Sequence, residues 1–250
     1  TDDLAGAAFL GTDGYMEPHA LLTGFERFAR KAGVAIETGV TVNGLLRDGD
    51  AVTGVATDRG EVRAEFVVNA AGPRGGEIAA IAGLDLPLSP CRRQIFATHP
   101  IDVAPDLPLV LDLDDPFYFR PEAGGVILSA AEVEETRSFD TAVDSGGLEE
   151  LVERAVHRCP KLMDATIARG WAGLRTLTPD GSAILGDAPG VPGLLLAVGM
   201  SGHGITHGPA VGLTIAERIV FGEARSLPLE PFRAERFGDE ERRGPVLTRS

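Results

Sequence analysis

Residues 173–208 read GLRTLTPDGSAILGDAPGVPGLLLAVGMSGHGITHG, and their order decides the fold. Leu194 to Val198 is a short continuous apolar run, the pattern of a buried strand. Glycines follow at 199, 202, 204 and 208. Pro209 to Val220 then reads as an apolar helix opened by its proline. A strand, a glycine turn and a helix N-terminus together aim backbone N–H groups at a phosphate. A dinucleotide fold normally begins with such a turn. Here it lies near the end, and nothing in the first sixty residues reads as strand–GxGxxG–helix. The chain is expected to be the second half of a larger fold. Its first residue, Thr1 rather than Met, agrees with that expectation.

A second apolar run, Phe66-Val67-Val68, ends in Asn69-Ala70-Ala71-Gly72. Small residues at the carboxyl end of a parallel strand let a ligand approach the backbone. Further toward the N-terminus, Pro18 to Ala32 has Leu21, Leu22, Phe25, Phe28, Ala29 and Ala32 at helical spacing. Gly33 suits the end of that helix, and Val34 to Glu37 reads as a short strand after it. Tyr15 and Met16, just before it, are expected in a core or an interface. Thr41 to Leu46, Val52 to Thr57 and Glu61 to Ala64 read as strands of a meander, joined at Asp48-Gly49 and Arg59-Gly60.

The middle of the chain differs. It holds Phe96, Phe117, Tyr118, Phe119 and Trp171, and its prolines break it into short pieces. Arg92 to His99, Pro116 to Arg120, Gly125 to Ala130 and Thr166 to Thr176 are strand candidates, and Glu149 to His157 is a helix. An antiparallel sheet with one helix, inserted between two α/β stretches, is the expected arrangement. The acidic runs Asp112 to Asp115 and Glu132 to Glu135 read as solvated loops.

Composition removes several classes of function. The 250 residues are 44% apolar, enough for a substantial core. Acidic residues outnumber basic ones 37 to 23, for a formal net charge of -14. Nucleic-acid binding needs a basic face, so no nucleic-acid partner is expected, nor an anionic membrane surface. No apolar run has the length of a membrane span, and no leader is visible, so a cytoplasmic protein is expected. Cys91 and Cys159 read as inert free thiols.

Six motifs in order extend this reading. They are Gly14-Tyr-Met-Glu-Pro18, Thr41-Val42-Asn-Gly-Leu45, Val67-Val-Asn-Ala-Ala-Gly72, Phe117-Tyr-Phe-Arg-Pro121, Gly173-Leu-Arg-Thr-Leu-Thr-Pro-Asp-Gly181 and Gly199-Met-Ser-Gly-His-Gly204. Together they resemble the FAD-dependent oxidoreductases of the D-amino-acid oxidase superfamily, such as glycine oxidase and sarcosine oxidase. The resemblance covers nearly the whole chain but only the C-terminal two-thirds of a family member, without the GxGxxG unit.

The resemblance implies an α/β plus α+β fold: a partial, Rossmann-like FAD-binding domain with an inserted antiparallel-sheet substrate domain. Residues 1–87 would be the first remaining part of the FAD-binding domain and 88–172 the substrate domain. Residues 173–225 would return to the FAD-binding domain, and 226–250 would be a surface tail. It implies that Val42 contacts the adenine, that Ala70, Ala71 and Gly72 line the FAD, and that Ser201, Gly202, His203, Gly204 and Ile205 lie by the flavin or pyrophosphate. Arg175 would pair with a substrate carboxylate, and Tyr118 would stand on the substrate side. Gly173 occupies the place of the cysteine that bonds the flavin in sarcosine-oxidase-like members, so non-covalent FAD is expected. Thr206 stands where those members carry a carboxylate-binding lysine, which places specificity nearer glycine oxidase. Gly72-Pro73-Arg74 departs from the family's Ala-Gly-x-Trp.

The implied reaction oxidises a small amine or amino acid at the carbon next to nitrogen, followed by imine hydrolysis. The alternative is a non-catalytic or partner-completed flavin-binding subunit, with a homo-oligomer or a partner chain supplying the N-terminal FAD unit. Two readings stay open for Arg175: a substrate carboxylate, or an internal pair with Asp180. Tyr118 alternates with two phenylalanines, so either face of that strand is a candidate for the core. His203 and His207 are four apart, but the turn supplies no third ligand, and no metal is expected.

Overall fold

A parallel strand can pair only across a long connection, and this chain makes that pairing over more than a hundred residues. The structure is a computed structural model and describes residues 3–102, 107–114, 116–130 and 138–238. In chain order its first elements are α1 (Pro18–Lys31), β1 (Val42–Asp48), β2 (Ala51–Thr57), β3 (Gly60–Arg63), β4 (Val67–Asn69) and α2 (Gly75–Ile81). Then come β5 (Ser89–Thr98), β6 (Val110–Asp112), β7 (Phe117–Glu122), β8 (Gly125–Ala130) and α3 (Leu148–Arg158). The last are β9 (Ile167–Leu177), β10 (Ile184–Asp187), β11 (Leu194–Val198) and α4 (Gly204–Phe221). The fold is mixed α/β with antiparallel sheets.

Contacts divide the described residues into two units. One joins the residues up to Gly24 with Arg92–Leu174, and the other joins Phe25–Cys91 with the residues from Arg175 onward. The chain passes from one to the other within α1, β5 and β9.

The second unit contains the parallel pairing. Its sheet has the order β10-β11-β4, with β11 antiparallel to β10 and parallel to β4. Leu194, Leu195 and Leu196 are each 1% exposed, because this strand is covered on both faces. Leu194, Leu196 and Val198 meet Val52, Ile184 and Phe237 on one side. Leu195 meets Leu185 and, from α4, Val211 and Ile215 on the other. A meander of order β1-β2-β3 is stapled to the segment before β11, for Val52 N–H donates to Pro192 O at 2.8 Å, while the bond from Val67 N–H to Gly193 O, also 2.8 Å, opens the β4–β11 ladder. A Cβ on Gly193 would stand 2.4 Å from Val52 O, so only glycine allows that approach. The chain after α4 wraps this unit, burying Leu229, Ala234 and Phe237. The last twelve residues of the expected tail, 239–250, lie outside the described residues.

The first unit contains most of the five-stranded sheet of order β6-β7-β8-β5-β9. Phe117 and Phe119 are 3% and 2% exposed, stack at 6.1 Å, and join Leu151 and Ala155 of α3 in one core. Tyr118 between them faces the other way. Arg158, ending α3, donates from Nε to Asp112 Oδ2 at 2.8 Å. Asp112 is therefore a buried ion-pair partner rather than a loop residue, its side chain 4% exposed. Asp115 and the Glu132–Glu135 run lie outside the described residues. Glu17 caps α1: its carboxylate accepts N–H bonds from His19 (3.0 Å) and Ala20 (2.6 Å), which hold it below the ordinary glutamate pKa.

Two local expectations are corrected, as is the core placement of Tyr15 and Met16. Val34 to Glu37 forms no strand, since no ladder partner takes it up and Val34 is 52% exposed. The last helix begins at Gly204, not Pro209. Gly202, at φ +91°, completes the reversal, so helical geometry starts at once and Pro209 sits in the second turn, where it removes only one backbone bond. Tyr15 and Met16 are 44% and 53% exposed, and the Arg120 guanidinium lies 4.8 Å over the Tyr15 ring. Among the described residues no helix is long and apolar enough to cross a membrane.

Candidate functional site

The register of one ladder assembles the site. Leu194, Leu195 and Leu196 stand opposite Val67, Val68 and Asn69 in parallel, so residues 70–72 and 199–203 leave the same end of the sheet. Open α/β sheets bind ligands at that end.

The first of these segments is pinned by Asn69, which is 2% exposed. Its Nδ2 donates to Gly75 O at 2.8 Å, and its Oδ1 accepts from Ala71 N–H at 3.3 Å. The following backbone is held while Ala70 and Ala71 stay exposed. Gly72 adopts φ +53°, and a Cβ there would meet nothing within 4 Å. Small residues leave this edge of the sheet open to a ligand.

The second segment turns through three left-handed residues: Gly199 at φ +71°, Ser201 at +48° and Gly202 at +91°. A Cβ on Gly199 would stand 2.5 Å from Thr178 Cγ2. Ser201 is the exception among them, a residue with a side chain in a conformation that favours glycine. Its N–H donates to Thr176 O at 2.9 Å, and its Oγ accepts from Thr178 N–H at 3.2 Å. His203 N–H closes the turn on Met200 O at 2.8 Å, and His207 N–H reaches back to His203 O at 2.9 Å. The backbone N–H groups of Gly204, Ile205 and Thr206, ahead of that bond, point out of the helix end. Residues 202–210 are all exposed. The rings of His203 and His207 stack at 5.3 Å.

Arg175 stands beside this turn. It is half-buried on β9, and a Cβ on Gly202 would lie 3.8 Å from its Cδ and Nη1. Asp180, the internal partner considered for it, carries a different arginine: Arg236 binds it with Nε at 2.8 Å and Nη2 at 3.1 Å. Burial opposes ionisation of Asp180, but Arg236, Ser182 N–H and the Thr178 hydroxyl outweigh it and hold its carboxyl below the ordinary value.

The second unit thus brings together Ala70, Ala71, Gly72, Ser201, Gly202, His203, Gly204, Ile205 and Arg175. Val42 belongs to the same unit, half-buried where β1 begins, opposite Thr57. Tyr118 and Gly173 belong to the first unit, with Gly173 exposed two residues before Arg175 on β9. That unit also has a cleft of about 350 Å³ lined by Tyr15, Ile101, Pro121, Glu122 and the 123–125 turn. Reading the sequence passed over Asn69 and Thr178 as anchors. Asn69 is the polar end of the apolar run Phe66-Val67-Val68, and Thr178 directly precedes Pro179.

Residues 1–218 match the family described as DAO, FAD dependent oxidoreductase. The chain belongs to that family. It is 30% identical to 4-methylaminobutanoate oxidase (formaldehyde-forming) of Paenarthrobacter nicotinovorans, over 88% of this chain and 28% of the relative. It is 36% identical to glycine oxidase of Pseudomonas aeruginosa, over 72% of this chain and 48% of that protein. Among solved structures, L-proline dehydrogenase from P. horikoshii superposes with a TM-score of 0.83 at 29% identity, covering 88% of this chain and 59% of that one. The chain spans less than two thirds of the length of each of these relatives.

FAD is the family's cofactor, and the geometry suits its phosphates. The exposed stretch from Gly202 to Ile205, with glycine at 202 and 204, starts the last helix, and the edge from Ala70 to Gly72 carries only small residues.

Proposed function

We propose that this chain forms the substrate-side part of a flavoenzyme that oxidises a small amine or amino acid. The observation that carries this reading is Arg175 lying against Gly202, a carboxylate-binding group beside a phosphate-binding type of turn. Bound FAD would accept a hydride from the carbon next to the substrate nitrogen, leaving an imine that water hydrolyses. Ala70, Ala71, Gly72 and the turn from Ser201 to Ile205 would hold the cofactor through backbone groups, and Val42 would meet its adenine end. The Arg175 guanidinium would fix the substrate carboxylate by two parallel hydrogen bonds. Tyr118 would be the substrate-side residue that the resemblance implies. Gly173 offers no thiol, which supports non-covalent FAD. We infer that the second unit is the FAD-binding domain and the first the substrate domain.

A partner-completed site is the second reading. Val68 on the edge strand β4 is 38% exposed, and Leu22, Phe25 and Phe28 on α1 are 62%, 49% and 67% exposed, which favours coverage by further polypeptide.

The test is a visible absorption spectrum after incubation with FAD and desalting. Retained flavin that bleaches anaerobically with glycine, sarcosine or proline is the expected result for the full-length protein. Retained flavin that none of these amines bleaches would remove the proposed reaction.

A further inference from the structure

The glycine turn is braced from behind by residues outside the candidate site. Thr178 is 1% exposed at the end of β9. Its hydroxyl lies 3.2 Å from Ser201 Oγ, 2.8 Å from Ser182 O and 3.2 Å from Asp180 Oδ1. A hydroxyl carries one proton. The carbonyl and the carboxylate only accept, so Thr178 gives its proton to one of them. The Ser201 hydroxyl then donates, either to Thr178 Oγ1 or to Gly199 O at 3.3 Å. The Thr178 hydroxyl therefore links the Asp180–Ser182 side to Ser201 at the back of the turn.

Asp180 is fixed in turn by Arg236, 35 residues beyond Ser201. Besides its two bonds to the carboxylate, Arg236 donates from Nη2 to Ser182 O at 2.8 Å. Its Nη1 donates to Phe232 O at 2.8 Å and to Arg233 O at 3.1 Å. All five guanidinium N–H groups are engaged, an arrangement that lysine cannot reproduce. The Arg236 side chain is 16% exposed and lies 4.1 Å over the Phe237 ring.

We propose that Asp180 and Arg236 are positioning residues for the cofactor-binding turn: acting through Thr178, they hold Ser201 left-handed and so set the row of backbone N–H groups that runs on to Ile205. The inference rests on the flavin reading above. The competing role is a plain staple, in which the pair only attaches the segment after α4 to its unit.

Amide hydrogen exchange in the full-length protein without added flavin separates the two. The amides to follow are Ser201 and His203, whose N–H groups bond Thr176 O and Met200 O. The β1–β2 amides are the control. In Asp180→Asn and in Thr178→Val, exchange at Ser201 and His203 rises roughly tenfold while the control stays at wild-type rates. Arg236→Lys falls between these variants and wild type. Unchanged rates at Ser201, or equal acceleration throughout the unit, would overturn the proposal. FAD titration of the same variants reads the cofactor separately. A roughly tenfold loss of affinity, with a shifted visible flavin band, is expected. Faster exchange at the turn with wild-type FAD affinity would instead overturn the flavin reading and leave the brace standing.

Discussion

Leu196 on β11 is level with Asn69 on β4 across a parallel ladder. The two residues are 127 positions apart in the sequence, and each is followed within a few residues by a glycine in the left-handed region. Both turns therefore open at one end of one sheet. Asn69 also ties its own turn down, and replacing it with alanine removes the donor to Gly75 O and the acceptor for Ala71 N–H. Asn69→Ala is expected to cost about 1–3 kcal/mol of stability and to lower FAD retention in the full-length protein. Urea unfolding and flavin content after desalting measure the two effects. Wild-type stability with wild-type flavin content would remove Asn69 as an anchor.

Arg175 is expected to act on substrate rather than on cofactor. In the full-length protein, Arg175→Leu raises KM for a carboxylate-bearing amine at least about tenfold, equivalent to roughly 1.4 kcal/mol. Flavin content stays near wild type. Steady-state kinetics alongside flavin absorbance decides it, and an unchanged KM excludes Arg175 from substrate binding.

The first unit has its own buried ion pair. Arg158→Met deprives the Asp112 carboxylate of a counter-charge where its side chain is 4% exposed. The expected cost is about 3 kcal/mol, seen as a lower thermal midpoint. Adding Asp112→Leu recovers most of it, because an apolar pair no longer leaves a buried charge. A double variant as unstable as the single one would show that Asp112 is held by other means.

Asp180 gives the second unit an acid sensitivity of defined sign. Its carboxyl ionises at lower pH in the fold than in the unfolded chain, so its contribution to stability is complete above the unfolded value, about 4, and fades as pH falls through the folded value. Wild type is more stable than Asp180→Asn at about pH 6, and the gap closes toward about pH 3. Thermal midpoints of both proteins across that range give the answer. A gap of constant size would contradict the assignment.

The local code of this chain is legible because its signals are local. Gly33, Gly49 and Gly60 mark turns that the sequence announces, and the alternation Phe117-Tyr118-Phe119 puts both phenylalanines on one face and Tyr118 on the other, with burial in the fold deciding that the phenylalanine face is core. The apolar run at Leu194–Val198 announces a strand covered on both sides, and the glycines after it announce a left-handed turn. Where such signals fail, a nonlocal partner decides. Val34 to Glu37 has strand composition but no ladder to join. Asp112 looks solvated in an acidic run, yet Arg158 lies in space beside it. Pro209 looks like a helix start, but Gly202 had already released the chain into helical geometry.

The sequence by itself determined most of the elements, the turn residues and the family, because propensity and side-chain period act over a few positions. Only the tertiary structure decided that Ala70–Gly72 and Ser201–Ile205 share one sheet end, that Arg175 borders Gly202, and that Asp180 answers to Arg236. Those relations depend on a parallel register and on hydrogen bonds between residues tens to more than a hundred positions apart. No local pattern encodes such pairings, which are fixed only when burial brings the partners together.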